Sequence, residues 1–359
     1  MDWNGTRVFL TGHTGFKGGW LSLWLQQLGA VVCGYSLDPP TVPSLFQVAK
    51  VAEGMDSVLA DIRDLPELRN AVSSFKPEVV IHMAAQPLVR FSYEHPVETY
   101  TTNVIGTANV LEAVRSCPSV RAVLVVTTDK CYENREWLWA YREDDRLGGY
   151  DPYSSSKACA ELVVGSWRNS YFNPARYAEH HVAIASARAG NVIGGGDWAD
   201  DRLVPDIMKA FIAGEPAIIR NPNSVRPWQH VLEPLRGYLT LCEKLLDHGA
   251  AFGEAWNFGP ESSNAQPVEW IVEQLASIWG EGAMWECDQG VHPHEAKTLR
   301  LEWSKAHTRL GWKPTLGLAE ALTLTAEWYS AWSNGGDMRA LTLRQIAEFG
   351  GRIPEILKA

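Results

Sequence analysis

The chain has 359 residues, more than one hydrophobic core usually organises, so a large domain with an annex or two unequal domains is expected. A hydrophobic fraction of 46%, a charged fraction of 21% and 16 tryptophans exclude a disordered chain, which lacks the apolar surface to offset ordering entropy. Lys and Arg number 32 against 42 Asp and Glu, and the formal charge of −10 has the wrong sign for a sequence-independent nucleic-acid or anionic-membrane binder. Any anionic ligand must therefore meet local cations. Cys33, Cys117, Cys131, Cys159, Cys242 and Cys287 stand singly, and polar residues follow Met1. No apolar run approaches the roughly 18 residues that cross a bilayer. The expectation is a reduced, soluble, cytoplasmic protein with neither nucleic-acid nor membrane partners.

In chain order, apolar β-branched runs at 7–11, 31–35, 57–60, 79–83, 122–127 and 181–188 alternate with helix-period stretches at 18–28, 103–115 and 154–167. Nearly continuous apolar strands suit a parallel sheet buried on both faces. Right-handed crossovers then give an α/β, doubly wound, Rossmann-type sheet with its ligand crevice at the carboxyl ends of the strands. Beyond residue 190, Gly and Pro punctuate shorter elements, with helices expected again at 234–246 and 267–279. Residues 1–190 are expected to form the nucleotide-binding domain, joined by part of 228–260. Residues 191–227 and 261–359 are expected to form a smaller mixed α/β substrate lobe.

The run Thr11-Gly12-His13-Thr14-Gly15-Phe16-Lys17-Gly18 follows the first strand and opens the first helix. Glycines at 12, 15 and 18 permit a tight turn, close approach to a pyrophosphate and close helix packing. The helix N-terminus adds free N–H groups. The acid expected about 20 residues on is displaced, Asp38 lying slightly past the second strand. With no Arg or Lys between Val31 and Gln47 to take a 2′-phosphate, NAD is favoured over NADP. Asp61, beside Ile62, could accept from an adenine amino group or cap a helix. The small residues Ala84 and Ala85 could let a cofactor lie against the backbone.

Tyr153 and Lys157 are four apart at the start of a helix, hence on one face. An ammonium beside a phenol favours phenolate, so the tyrosine is expected to have a lowered pKa and to act as a base. Thr127-Thr128-Asp129-Lys130 ends the fifth strand, and Asn103 lies in the helix before it. The scattered histidines, His180, His181, His292 and His294, have poor ligand spacing and no Cys or carboxylate cluster, so no metal is expected.

With these motifs the chain resembles, over essentially its whole length, the extended short-chain dehydrogenase/reductase family. The resemblance assigns the hydroxyl, Tyr and Lys triad to Thr128, Tyr153 and Lys157, with Asn103 supporting. Thr-Asp after the strand resembles the nucleotide-sugar 4,6-dehydratases within that family. Lys130 stands where the dTDP-glucose enzymes usually carry Glu. Together with Gln86-Pro87-Leu88-Val89-Arg90, Gly194-Gly195-Gly196-Asp197-Trp198 and Arg226-Pro227-Trp228-Gln229-His230, this implies CDP-glucose as substrate and a route to dideoxy sugars of bacterial O-antigen lipopolysaccharide.

The resemblance implies a redox-neutral cycle on a retained NAD. Tyr153 takes the sugar 4-hydroxyl proton, the 4-ketone acidifies C5, and Asp129, kept protonated by burial, acts as acid at the departing 6-hydroxyl. Lys130 is either a desolvated neutral base at C5 or a charged group that orients Asp129 or stabilises the enolate. Gln86, Arg90, Asn191, Arg202 and Arg226 are assigned to the substrate. Arg226 suits bidentate contact with the diphosphate, with structural ion pairing as the alternative for each arginine. Lys297 and Arg300 remain open. The resemblance, in which helices 103–115 and 154–167 pair between subunits, implies a homodimer or homotetramer. Rival readings are another 4,6-dehydratase, a 4-epimerase, which needs no acid at C6, and an inactive dinucleotide sensor on the same fold.

Overall fold

Chain segments rich in Val, Ile, Leu and Ala form the strands, because side chains on both faces of a parallel sheet must be covered by helices. The computed structural model describes residues 2–288, 290 and 299–352; His292, His294 and Lys297 lie outside them. Its strands are β1 Arg7–Thr11, β2 Val31–Ser36, β3 Asp56–Leu59, β4 Val79–His82, β5 Ala122–Val126 and β6 Ala183–Ala189. These are followed by β7 Asn191–Ile193, β8 Ala217–Ile219, β9 Val225–His230, β10 Ala255–Phe258, β11 Ala265–Pro267 and β12 Trp285–Cys287.

Seven strands form one parallel sheet in the order β10-β6-β5-β4-β1-β2-β3, as expected for a doubly wound α/β fold. Helix Leu232–His248 packs against β5 and β6, and β10 closes the sheet edge. Away from the sheet, β11-β9-β7 and β12-β8 form two small sheets. The late helix Met338–Gly351 packs on the early helix Phe16–Gln27, with Trp24 edge-on to Phe349 at 5.8 Å.

Two local features depart from the sequence expectation. The strand at 56–59 is largely solvent-exposed rather than buried on both faces, because it is the outermost strand, hydrogen-bonded on one side only. The helix expected at 103–115 is the end of a longer run from Pro96 to Arg115, interrupted by a π-turn at Thr101–Ile105. Such turns are rare and frequently mark functional sites. Trp20, Trp24, Trp256, Trp312 and Trp328 are fully buried, consistent with tryptophan serving mainly as core.

Register brings the functional ends together. Thr11 pairs with His82, and His82 with Val125, so the carboxyl ends of β1, β4 and β5 are level. The segments following those three strands line one crevice.

Candidate active site

The first wall is the glycine loop. Gly12 has φ +83°, and a Cβ there would stand 2.7 Å from the Ala84 nitrogen; one on Gly18 would stand 2.0 Å from the Gly12 carbonyl oxygen. Only glycine allows this fold-back against the strand that follows. Helix Phe16–Gln27 starts from Gly15 with no side-chain cap, which leaves its first N–H groups for an anion. This cradle fits a dinucleotide pyrophosphate.

Two loop side chains turn inward. His13 is buried over Gly34, its Nε2 2.7 Å from Ser57 Oγ, while Thr14 Oγ1 donates to the Leu37 carbonyl at 2.9 Å. They brace the loop on β2 and β3. Phe16 lies against Gly194. Lys17 is half-buried, and its ammonium is pushed down to about 8 by burial and by the charges of Arg202 and Lys157, with Asp129 and Asp197 opposing. It therefore lies within electrostatic reach of Arg202, Lys157, Asp129 and Asp197.

Asp38 is exposed just beyond β2. Asp61 is not a helix cap: Asp64 caps helix Leu65–Phe75, accepting from the Glu67 amide. Instead the Asp61 carboxylate takes 2.8 Å bonds from the Arg63 amide and Nε. Burial raises its pKa, but these bonds and the Arg63 charge outweigh it and hold the carboxyl below its ordinary range. Ile62 is buried against Gly106, Ala84 is half-buried beside Gly12, and Ala85 after it is half-buried as well.

The side chains expected to be catalytic come from the end of β5 and the start of helix Pro152–Ser170. Asp151 caps that helix, its Oδ1 accepting from the Ser154 amide at 2.9 Å, and Pro152 at N1 fixes the first turn. Tyr153 is buried and hydrogen-bonded to Thr128, whose Oγ1 donates to Asp129 Oδ1 at 3.0 Å. Asp129 is buried with its Oδ2 facing Gly190, and half-buried Lys130 follows it. Thr128, Asp129, Tyr153 and Lys157 are thus brought together.

The electrostatics of the pair differ from the sequence expectation. Burial pushes the Tyr153 phenol up to about 12, and the Thr128 hydrogen bond and the Arg202 charge only partly offset it. Lys157 points its Nζ at the Val126 carbonyl, 3.0 Å away, and burial pushes it down to about 8. Desolvation thus outweighs the groups that favour ionisation, so the neutral phenol is the favoured form here, and Tyr153 must first lose its own proton before it can accept one from a substrate hydroxyl.

The residues expected to meet the substrate come from several separate segments. Gln86 receives the Asn103 carboxamide on both backbone groups, its amide donating to Asn103 Oδ1 at 2.8 Å and its carbonyl accepting from Nδ2 at 3.0 Å. Arg202 pairs with Asp197 at 2.8 Å close to Tyr153, and that pairing raises its pKa. Arg226 lies in β9 opposite Gln266, and Asn191 begins β7 opposite Trp228. Arg90 reaches Asp201 at 3.2 Å on the surface. The Arg300 carbonyl accepts from the Tyr141 amide at 2.7 Å, and the residue borders a small cavity with Pro227 and Glu261.

Sequence reasoning passed over one buried system. Glu161, one turn beyond Lys157, pairs with Arg188 at 2.9 Å and accepts from Thr127 and Ser186. Charged residues at strand and helix positions flanking the motif were the available signal.

The family described as GDP-mannose 4,6 dehydratase matches residues 9–325. A CDP-glucose 4,6-dehydratase of Salmonella typhimurium is 56% identical over 347 residues, 97% of each chain. A dTDP-glucose 4,6-dehydratase of Xanthomonas campestris is 25% identical, covering 89% of this chain and 92% of its own. The crystal structure of Thermus thermophilus UDP-glucose 4-epimerase, a complex with NAD, superimposes with a TM-score of 0.77 at 22% identity over 90% of this chain and 99% of that one. With the family match spanning residues 9–325 of the 359, the chain belongs to the GDP-mannose 4,6-dehydratase family.

Proposed function

We propose that the protein converts CDP-glucose to CDP-4-dehydro-6-deoxyglucose and water. The observation that carries this reading is 56% identity, end to end, to a CDP-glucose 4,6-dehydratase. The cofactor is NAD, held by the backbone of Gly12, His13, Thr14, Gly15, Phe16 and Lys17, with Asp38, Asp61, Ile62, Ala84 and Ala85 along its adenosine half and Asn103, Tyr153 and Lys157 at the other. When bound, NAD would supply a hydride acceptor at the sugar C4 and the hydride donor at C6.

The chain's own groups do the rest. Tyr153, aligned by Thr128, acts as the phenolate and takes the proton of the 4-hydroxyl, becoming the neutral phenol, and Lys157 on the same helix face favours the ionised form needed for that step. The ketone at C4 acidifies the C5 proton. Asp129 gives a proton to the departing 6-hydroxyl, and Lys130 serves the C5 side of the elimination. Arg202 and Arg226 hold the diphosphate, supplying the cations that a chain of net charge −10 must place locally. Gln86, Arg90 and Asn191 complete the substrate opening. Asp129 is what favours dehydration over epimerisation, which needs no acid at C6.

Beyond the reaction, we propose a cytoplasmic homodimer that serves a route to surface dideoxy sugars. Support for pairing through helices 96–115 and 152–170 comes from Val97, Ile105 and Leu162, apolar side chains left 77%, 51% and 62% exposed. Incubation with NAD and, separately, CDP-, dTDP-, UDP- and GDP-hexoses in heavy water tests the assignment by NMR. The expected result is a 4-keto-6-deoxy sugar from CDP-glucose alone, with deuterium at C5. C4 epimers as products would replace this reading with an epimerase, and NAD binding without turnover would leave a sensor.

A further inference from the structure

β4 ends on His82, a buried residue whose imidazole is held between two threonine hydroxyls. Nδ1 lies 2.7 Å from Thr11 Oγ1 and Nε2 lies 3.0 Å from Thr107 Oγ1. The neighbouring bonds fix where each proton must be. Thr107 Oγ1 donates to the Asn103 carbonyl at 2.7 Å, so its single proton is used and it can only accept from an Nε2–H. Thr11 Oγ1 accepts the amides of Met83 and Ala84, both at 3.1 Å, which leaves its own proton for Nδ1. The ring is therefore neutral and protonated on Nε2. Burial, then the charge of Lys157, pushes its pKa down to about 3, in agreement with that state.

The chain of bonds continues toward the chemistry. Asn103 sits in the π-turn at Thr101–Ile105, and its carboxamide is fully used: Oδ1 accepts from the Gln86 amide, and Nδ2 donates to the Gln86 carbonyl and, at 2.9 Å, to Ser156 Oγ. Ser156 Oγ in turn donates to the Tyr153 carbonyl at 2.7 Å. Every member has one available role, so reversing any one bond leaves a buried donor or acceptor unmatched.

We infer that His82 is a positioning residue for the dehydration, linking the backbone behind the glycine loop through Thr11, Thr107 and Asn103 to the first turn of the Tyr153 helix. The inference rests on the proposed reaction in taking Tyr153 as the base. It assigns His82 a task that packing alone does not: it holds Asn103, and through it both Gln86 at the substrate opening and Tyr153, in one mutual geometry.

Thr107→Val removes the hydroxyl while keeping the shape, and Thr107→Ser keeps the hydroxyl. With CDP-glucose and NAD, Thr107→Val is expected to lower kcat about 10- to 100-fold, the scale of a roughly 1 Å misplacement, with KM little changed. Thr107→Ser is expected to recover most of that loss. A folded Thr107→Val with unchanged kcat overturns the inference, as does a loss that appears only in KM. A second measurement does not depend on turnover: 15N spectra of histidine-labelled protein, with His82→Gln identifying the resonance, should show the His82 ring protonated on Nε2. Protonation on Nδ1 overturns the inference. If the wild-type chain does not turn over CDP-glucose, the proposed reaction fails by itself, and the spectrum decides the relay.

Discussion

The Thr128 hydroxyl donates to Asp129 Oδ1 at 3.0 Å and also bonds Tyr153, so one hydroxyl joins the base proposed at C4 to the acid proposed at C6. A side chain in that position couples two steps of the cycle. Thr128→Val should therefore slow both oxidation and elimination, each by about 100-fold, the scale of a lost proton-transfer alignment. Thr128→Ser, which keeps the oxygen, should keep most of the activity. Single-turnover product analysis checks this, and a Val variant impaired in oxidation alone would separate Thr128 from Asp129.

Asp129 has a second neighbour that limits where its carboxylate can go. A Cβ on Gly190 would stand 3.0 Å from Asp129 Oδ2, tighter than ordinary contact, so Gly190→Ala must displace one or the other. The expected outcome is continued oxidation at C4 with elimination slowed about 10-fold, seen as accumulation of the 4-keto sugar that still carries its 6-hydroxyl. Lys130→Ala tests the other side of the same step. It should leave the first oxidation largely intact and remove deuterium uptake at C5 from heavy water; exchange at the wild-type rate would leave Lys130 without a role there.

The glycine loop depends on β2 as well as on its own sequence. At Gly34 an added Cβ would lie 2.3 Å from His13 Cγ, so the strand glycine makes room for the ring that braces the loop. Gly34→Ala is expected to destabilise the protein by about 1–3 kcal/mol, the usual range for overpacking, and to weaken NAD binding because the displaced ring carries the loop with it. Calorimetric titration with NAD against a thermal melt distinguishes this from a purely global loss: unchanged affinity in the folded fraction would show that the loop does not feel His13.

Much of this site is legible in the amino-acid order, for a physical reason. The glycine loop, Thr128-Asp129 and Tyr153-Lys157 are each local runs on one strand end or one helix turn, so spacing alone places them. The legibility ends where residues far apart in sequence decide the outcome. The Lys157 ammonium is 31 positions from the Val126 carbonyl it bonds, and Thr127 is 34 from Glu161. The Tyr153 phenol was expected to fall in pKa from its neighbour four residues on, and instead rises because the folded chain buries it away from water. The π-turn at Asn103 carries no propensity signal, since its residues read as ordinary helix.

The buried ion pair beneath the catalytic strand should be the most sensitive structural position outside the crevice. Arg188 bonds both Glu161 oxygens, at 3.0 and 2.9 Å, and also reaches the Tyr132 hydroxyl at 2.6 Å, all of it out of water. Glu161→Gln leaves a buried guanidinium without its counter-charge. The expected cost is about 3–5 kcal/mol, measured by urea unfolding. It also removes a negative charge that supports the Lys157 ammonium, so residual activity should decline toward alkaline pH earlier than in the wild type. A variant as stable as wild type would show that Arg188 finds solvent or another partner.

Three histidines make the fold acid-sensitive. Burial holds His13 down to about 4, and His82 and His230 down to about 3, against an ordinary value near 6.5 in the unfolded chain. Between those limits the unfolded state binds protons that the folded state refuses, so stability rises with pH through this window. The contribution is fully present above about 6.5 and is lost progressively as the pH falls toward 3–4. At pH 5 each histidine should already have given up about 2 kcal/mol, since each pH unit below 6.5 is worth about 1.4 kcal/mol. His82 is the informative member, because protonating Nδ1 would set a donor against the Thr11 hydroxyl, which is already committed to two backbone amides. Urea unfolding at pH 7.5 and pH 5 should therefore show a large drop in stability for the wild type, and a smaller one for His82→Gln. An equal drop in both would mean that His82 does not contribute to the acid sensitivity, and that the neutral ring is not what the surrounding hydroxyls require.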